Sequence, residues 1–368
     1  MQIFWLKRNL RLQDSEPFFE SMRAFRKKGK VLPLYCHEPG LTQQPDVSRQ
    51  HQLFIQETLE ELDRDFQSIG GKLLQAVGET VDVLDRIHRV QPLTKIWTHQ
   101  ETTQNSQFRR DKAVAAWCAA NGVELLELAQ NGIARGSQKS ELFPPYFARS
   151  VSTKLRDPMG TDLSERFAPL PFPSCDPKAI PKAAGTDKPL RQMGGRSQAI
   201  KTLNRFFTVP HLKKYPFQIS SPNTAWQGCS RISTYLATEF LDYEPGIHHV
   251  IHQLIAGTIE FSELMVYDPV KQGRDHDLDG HFIRKWVLEL ADVPGNELHD
   301  LAKTAFRLSK HAEILGYMPY PEAIVDHRAT AKKAKDRVSD LRRSDSDRHR
   351  VSVEKSSEHK QDFQQSLF

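Results

Sequence analysis

Apolar positions along the first 130 residues alternate between short continuous runs and longer amphipathic stretches. The short runs predict β-strands at residues 3–6, 31–36, 72–77, 95–98 and 123–128. Between several of them the apolar spacing changes to about 3.6 residues, which predicts helices at residues 50–69, 80–88 and 105–121. Strands that alternate with helices are typical of a parallel sheet covered on both faces. The N-terminal part is therefore predicted to be a doubly wound α/β domain.

The middle of the chain lacks this periodicity. Nine of the 22 prolines lie between Pro144 and Pro189, which predicts an interdomain linker. A helix follows at residues 197–207, with Ile200, Leu203 and Phe206 on one side. Residues 328–368 contain eleven Lys or Arg against seven Asp or Glu and few apolar residues, so we expect a disordered charged tail.

Residues 241–290 are difficult to explain by packing alone. Asp242, Glu244, three histidines (His248, His249 and His252) and the turn Pro245-Gly246 fall within eleven positions. A plain amphipathic helix would show a clean apolar stripe there instead. The crowding of polar side chains indicates a site for a polar ligand.

The composition indicates where the protein is located and which partners its charge does or does not predict. The four cysteines are scattered without a Cys-x-x-Cys pair, which favours a reducing, cytoplasmic location. No apolar run approaches membrane-spanning length, so no membrane contact is expected. The tail accounts for +4 of the net charge of +5, so the body is nearly neutral and its charge alone does not predict a DNA-binding face.

Short motifs recur in a fixed order along the chain, among them residues 5–11 near the start and Ala256-Gly257-Thr258 and Tyr267-Asp268-Pro269 in the C-terminal half. In this order they resemble motifs of the cryptochrome/photolyase family. Residues 5–11, Trp-Leu-Lys-Arg-Asn-Leu-Arg, are similar to the opening motif of its antenna domain, and residues 31–39 and 98–135 are similar to later parts of that domain. Residues 242–244, 256–258, 267–269 and 277–290 resemble its flavin-binding half, and residues 320–327 its closing motif. No Gly-x-Gly-x-x-Gly follows the first strand, so a dinucleotide loop is not predicted there.

The resemblance implies a set of cofactor-binding residues. Residues 228–236, Gly-Cys-Ser-Arg-Ile-Ser-Thr-Tyr-Leu, resemble the flavin-phosphate segment, so Ser230 and Ser233 are expected to face the phosphates of FAD. Asp242 and Glu244 are expected to accept hydrogen bonds from the flavin ring or its ribityl chain. His248 occupies the position near flavin N5 and is the one expected catalytic residue.

The resemblance also has a gap. Only four residues, 237–240, separate the phosphate segment from Leu241, whereas family members have a long helical stretch there. We therefore expect an α/β antenna-type domain at residues 1–133, a linker at 134–195, a shortened all-α FAD-binding-type domain at 196–327, and the tail at 328–368.

Two sequence patterns resemble metal sites and are alternatives to the flavin site. Residues 275–280 begin like a calcium loop, but Trp286 stands at the twelfth position, where a bidentate Glu is required. His248 and His252 are spaced like paired zinc ligands, yet the sequence has no His-Glu-x-x-His and no evident third ligand. No metal is expected.

The functional expectation follows from the resemblance and leaves alternatives open. As a family member the chain is expected to bind FAD, with a second antenna chromophore of folate or deazaflavin type as a further cofactor. It would then repair cyclobutane pyrimidine dimers in DNA under light, as a carbon–carbon lyase, or sense blue light, as a monomer. The alternative is a non-catalytic remnant that binds a nucleotide, a chromophore or a partner.

Overall fold

A five-stranded parallel sheet organises the N-terminal part of the protein. The computed structural model describes residues 1–101, 105–129, 156–237, 268–299, 325–337 and 339–340. The strands are β1 Gln2–Leu6, β2 Val31–His37, β3 Leu74–Val77, β4 Lys95–His99 and β5 Glu124–Leu128. Their spatial order is β3-β2-β1-β4-β5, and every neighbouring pair is parallel. The five predicted strands and the doubly wound fold class are confirmed.

Five helices lie between these strands. They are α1 Glu16–Lys28, α2 Pro39–Thr42, α3 Arg49–Ser68, α4 Thr80–Val90 and α5 Asn105–Ala120. The helices predicted at 50–69, 80–88 and 105–121 are confirmed as α3, α4 and α5. Helix α1 was not predicted, although Pro17 in its first turn is a helix-start signal and Phe18 and Met22 are buried at helical spacing.

The central strands form the core of this domain. Ile3 and Trp5 of β1 pair in register with Leu32 and Leu34 of β2, and all four side chains are buried. Strand β1 is hydrogen-bonded on both sides, to β2 and to β4. This explains why residues 3–6 form a continuous apolar run rather than an alternating one.

The described part of the predicted linker, residues 156–195, is called the arm below. It contains two short 3-10 turns, Ser164–Arg166 and Pro177–Ala179, and it packs along the α/β domain. The backbone N–H of Ala168 donates to the carbonyl of Val31, and that of Cys175 donates to the carbonyl of Gln75 on the edge strand β3. The arm therefore covers part of a sheet edge that would otherwise present unpaired backbone groups.

Helices predominate among the described residues beyond the arm. They are α6 Arg196–Phe206, α7 Val209–Gln218, α8 Pro222–Gly228, α9 Ser233–Ala237, α10 Pro269–His276, α11 His281–Trp286 and α12 Gly295–Leu298. Residues 327–337 are also helical. The predicted helix at 197–207 is confirmed as α6, and the helical character of the C-terminal part is confirmed.

The described residues divide into two compact units. One unit, the α/β unit, comprises those within Met1–Thr208 and Ser230–Leu254; the other, the helical unit, comprises those within Val209–Cys229 and Ile255–Phe368. The domain boundaries at residues 133, 195 and 327 stay predictions. Among the described residues, no helix is both long and apolar enough to cross a membrane.

Candidate functional site

A cavity of about 240 Å³ opens at the carboxyl edge of the sheet. When the loops that follow two neighbouring parallel strands run in opposite directions, a crevice opens between them at this edge. Ligands of such folds commonly bind there. Its apolar walls are formed by Trp5, Leu6, Tyr35, Leu41, Val47 and Ile55. Its polar lining includes Lys7, Arg8, His37, Glu38, His51, Gln52, Glu101, Gln107 and Arg110. Apolar walls with a few directed polar groups are typical of a small-molecule site.

A network of ion pairs fixes the polar side of this cavity. Arg110 Nη1 lies 3.1 Å from Glu38 Oε2, and Arg110 Nε lies 3.0 Å from Asp111 Oδ1. Lys7 Nζ lies 2.7 Å from Asp111 Oδ2, and Arg8 and Glu101 approach to 3.8 Å. Three cations thus face three carboxylates. The cavity accordingly suits a ligand that forms hydrogen bonds without a large net charge.

Burial shifts the pKa of several of these groups. It raises the pKa of Glu38, although Arg110 and the backbone N–H of Thr80 oppose this change. It lowers the pKa of Lys7, against the attraction of Asp111. At the end of β4, burial holds the pKa of His99 well below its ordinary value, with Arg11 and Lys7 acting in the same direction. His99 is therefore a neutral imidazole at physiological pH.

Helix α3 forms one wall of the cavity, and the arm fixes this helix in place. Gln52, on the cavity side of α3, donates from its side-chain amide to the carbonyl of Pro181 and accepts from the N–H of Ala183. The side-chain amide of Gln52 thus forms the pair of hydrogen bonds that a backbone peptide group could form, and this residue is buried. The arm thus helps to shape the cavity from outside it.

A second candidate region is the turn that precedes α9. Ser230 is half-buried, Ser233 is exposed at the start of α9, and Arg231 between them has φ of 56°, in the left-handed region. The backbone N–H of Ile232 lies 3.5 Å from Ser230 Oγ. The structure therefore brings Ser230 and Ser233 together in one turn. The other predicted site residues, Asp242, Glu244 and His248, lie outside the described residues, as does His252.

Comparison with known proteins decides the family. A family model described as DNA photolyase matches residues 2–138, and a model described as the FAD binding domain of DNA photolyase matches residues 223–340. The two matches follow the order predicted from the sequence. The chain belongs to the photolyase/cryptochrome family.

Individual relatives match over shorter segments. Cryptochrome-1 of Anopheles gambiae is 27% identical over 130 residues, which cover 34% of this chain and 24% of that protein. The deoxyribodipyrimidine photo-lyase of Escherichia coli is 27% identical over 113 residues, which cover 26% of this chain and 23% of the relative. These matches therefore span about a quarter of each relative's length.

Solved structures share the fold over most of the chain. A cryptochrome from Synechocystis has a TM-score of 0.67 at 14% identity, with 90% of this chain and 97% of that chain covered. A bacterial class III photolyase from Agrobacterium tumefaciens has a TM-score of 0.53 at 15% identity, with 93% and 98% covered. At this identity the likeness establishes the photolyase/cryptochrome fold.

The acidic run of this family member at residues 275–280 has a local structural role. Asp277 accepts a 2.7 Å hydrogen bond from Asn223 Nδ2 and further bonds from the backbone N–H groups of Phe282 and Ile283. Although burial opposes the change, these donors lower the pKa of Asp277. The carboxylate therefore caps the start of α11 rather than facing an open loop.

The cavity residues were not predicted from the sequence. The signal was nevertheless available, because Lys7 and Arg8 follow β1 directly, Glu38 follows β2, and Glu101 lies just beyond β4. Charged residues at the carboxyl ends of adjacent parallel strands converge at one edge. Arg110 and Asp111 were harder to find, because they reach this edge from the middle of α5.

Proposed function

We propose that this protein binds FAD and uses it for light-dependent repair of cyclobutane pyrimidine dimers in DNA or for blue-light sensing. The observation that carries the proposal is the match of residues 223–340 to the FAD binding domain of DNA photolyase, in the same chain as the N-terminal match. Bound FAD would supply light absorption and an electron that returns once the dimer is split, so no reductant is consumed overall.

The turn at residues 230–233 fits the phosphate end of FAD. Ser230 and Ser233 bring two hydroxyl donors into one turn, and the guanidinium of Arg231 lies between them in sequence. Hydroxyl and guanidinium groups are suitable donors for phosphate oxygens. We propose that these two serines bind the phosphates, and that Asp242 and Glu244 accept hydrogen bonds from the flavin ring or ribityl chain.

His248 is proposed as the catalytic residue, beside flavin N5. An imidazole at that place donates or accepts a hydrogen bond as the cofactor changes its redox state. His248→Ala should leave FAD bound but change the rate of light-driven flavin reduction and repair, whereas His252→Ala provides a matched histidine control. Equal rates for the His248→Ala variant and the unmodified protein would remove this residue from the proposed mechanism.

Two assays test the proposed function. FAD binding is measured by titration with the unmodified protein, with a Ser230→Ala/Ser233→Ala variant and with Ser220→Ala as an exposed serine control. Repair is measured on an irradiated thymine oligonucleotide, in blue light and in the dark. We expect the double variant to bind FAD at least about tenfold more weakly, since each lost hydrogen bond to a charged group contributes roughly 1.5 kcal/mol. FAD binding without repair in light would favour blue-light sensing.

The cavity at the carboxyl edge supports a second binding function. Its aromatic and aliphatic walls, its volume of about 240 Å³ and its balanced charges fit one planar heterocycle with hydrogen-bonding edges. We propose that it holds the second chromophore, of folate or deazaflavin type. If the purified protein contains FAD but no second chromophore, the cavity is a structural feature of the α/β unit and not a binding site.

An enlarged side chain tests this second site. Ile55→Trp projects a larger ring into the cavity from α3 and should abolish binding of the second chromophore while FAD remains. Val90→Trp adds a ring of similar size on α4, where the Val90 side chain is 59% exposed. This control should change the binding of neither the second chromophore nor FAD. Retention of the second chromophore in the Ile55→Trp variant would exclude this cavity as its site.

A further inference from the structure

The turn that carries Ser230 and Ser233 is joined to the arm by two reciprocal hydrogen bonds. Gln192 Nε2 of the arm donates to the backbone carbonyl of Arg231 at 2.7 Å. In the opposite direction, Tyr235 Oη donates to the backbone carbonyl of Met193 at 2.9 Å. Adjacent arm residues therefore contact the turn on both sides of Ser233.

The arm is itself fixed to helix α3 at this point. The guanidinium of Arg191 forms a two-pronged ion pair with the carboxylate of Glu57, which also accepts a 2.7 Å bond from the N–H of Gly194. The N–H of Gly195 donates to Thr58 Oγ1 at 3.0 Å. A bidentate pair supported by backbone donors has a well-defined geometry. The arm is therefore fixed to α3 next to the residues that contact the turn.

The ring of Tyr235 adds an apolar anchor. It is 2% exposed, and its centroid lies 5.5 Å from that of Phe54 on α3. Arg231, four residues earlier, has a positive φ, which is uncommon for a residue other than glycine and persists where the surroundings hold it. The hydrogen bond from Gln192 to the carbonyl of Arg231 supplies such support.

We propose that Gln192 and Tyr235 are positioning residues that preorganise the phosphate-binding turn of the flavin site. This inference rests on the proposed FAD binding. A turn fixed before the cofactor arrives loses less conformational entropy on binding, so the hydroxyl groups of Ser230 and Ser233 bind phosphate more tightly. Neither residue needs to touch FAD for this effect.

The experiment compares FAD with riboflavin, which has the same ring but no phosphate. Affinities for both are measured for the full-length protein, for Tyr235→Phe and for Gln192→Ala, with Gln198→Ala on α6 as a matched control. Each of the first two variants should weaken FAD binding about fivefold, the effect of one lost hydrogen bond, while riboflavin affinity stays unchanged. Amide exchange of residues 230–236 should become faster in both variants before any FAD is added.

Two results would overturn the inference while leaving FAD binding intact. Unchanged FAD affinity in both variants would show that the turn needs no support from the arm. An equal loss of FAD and riboflavin affinity would show a general effect on folding rather than positioning of the phosphates. If the unmodified protein binds neither compound, both the proposed function and this inference fail.

Discussion

The described residues of the α/β unit and those of the helical unit differ in how their side chains are packed. In the α/β unit, a large cluster of side chains is buried between the sheet and its helices, including Ile3, Leu34 and Ile96 at 0% exposure. In the described part of the helical unit, a small cluster is formed by Leu290, Val293 and Leu298, while Phe217 and Leu288 are 85% and 76% exposed. Among the residues that the structure describes, those of the first unit therefore rely on apolar burial to a greater extent than those of the second.

Polar contacts to the backbone are prominent where the apolar core is small. Asp277 joins the start of α11 to Asn223 on α8, and Ser221 Oγ donates to the carbonyl of His276 at 2.7 Å. Arg284 donates to the carbonyls of Ala291 and Val293. In the described helices, side-chain hydrogen bonds, several of them to backbone groups, therefore supplement a small apolar cluster, and their net contributions are individually modest. A ligand that binds the folded helical unit would therefore stabilise it appreciably.

The largest expected effect is the loss of stability when a buried leucine is shortened, compared with an exposed one. Leu34→Ala removes a side chain with 0% exposure from the centre of the sheet and should lower the free energy of unfolding of the α/β unit by about 3 kcal/mol. Leu288→Ala, at 76% exposure, should change stability by less than about 0.5 kcal/mol. Denaturant unfolding measures both. Equal effects would contradict the burial of Leu34 in the sheet and the exposure of Leu288.

A change at the contact between the arm and α3 is expected to lower stability nearly as much as Leu34→Ala. A methyl group at Gly194 would overlap the carbonyl oxygen of Phe54 and would lie 2.6 Å from Thr58 Oγ1. Gly194→Ala should therefore lower the free energy of unfolding by about 2 kcal/mol, because the arm must move away from α3 to make room for the methyl group. Met193→Ala alters a neighbouring side chain that is 51% exposed and is the control. A Gly194→Ala protein as stable as the control would show that the arm is not closely packed on α3.

The cap at Asp277 gives the corresponding test in the helical unit. Asp277→Ala removes the acceptor for Asn223 and for two backbone N–H groups, and should cost about 2 kcal/mol. Hydrogen exchange should become faster in residues 221–224 and 281–286, and remain unchanged in β2. Asp275→Ala, two residues earlier and exposed, should have no such effect. Identical exchange in both variants would mean that these contacts contribute little.

The smallest expected effect depends on pH. Burial, and then the neighbouring Glu61, raise the pKa of Asp65 on α3 from 3.8 to about 6. A raised carboxyl pKa favours the folded state below the unfolded pKa, and this contribution is lost as the pH rises from about 4 through 6. Asp65→Asn should therefore stabilise the protein by about 1 kcal/mol at pH 7, after allowance for solvent exposure of the half-buried side chain. Below pH 4 the gain should disappear, and a constant difference across this pH range would contradict the shift.

Local sequence patterns predicted most of the α/β fold because strands and helices there bury apolar faces at regular spacing. They did not predict the packing of the arm, since its contacts run through backbone groups, glycines and single polar side chains such as Arg191 and Gln52, which have no periodic signal. In the same way, Ser230 and Ser233 were identified from a local motif, whereas the support from Gln192 and Tyr235 joins residues about 40 positions apart. Helix α1 was missed although its start signal was local.

The central claim is that this photolyase/cryptochrome family member binds FAD, and the visible absorbance spectrum of the freshly purified protein tests it most directly. The spectrum is repeated on the supernatant after heat denaturation, so that a released chromophore is identified free of protein. The account predicts flavin bands at near-stoichiometric level, with FAD recovered in the supernatant. A colourless protein that stays colourless after incubation with FAD would contradict the claim and favour a non-catalytic remnant of the family.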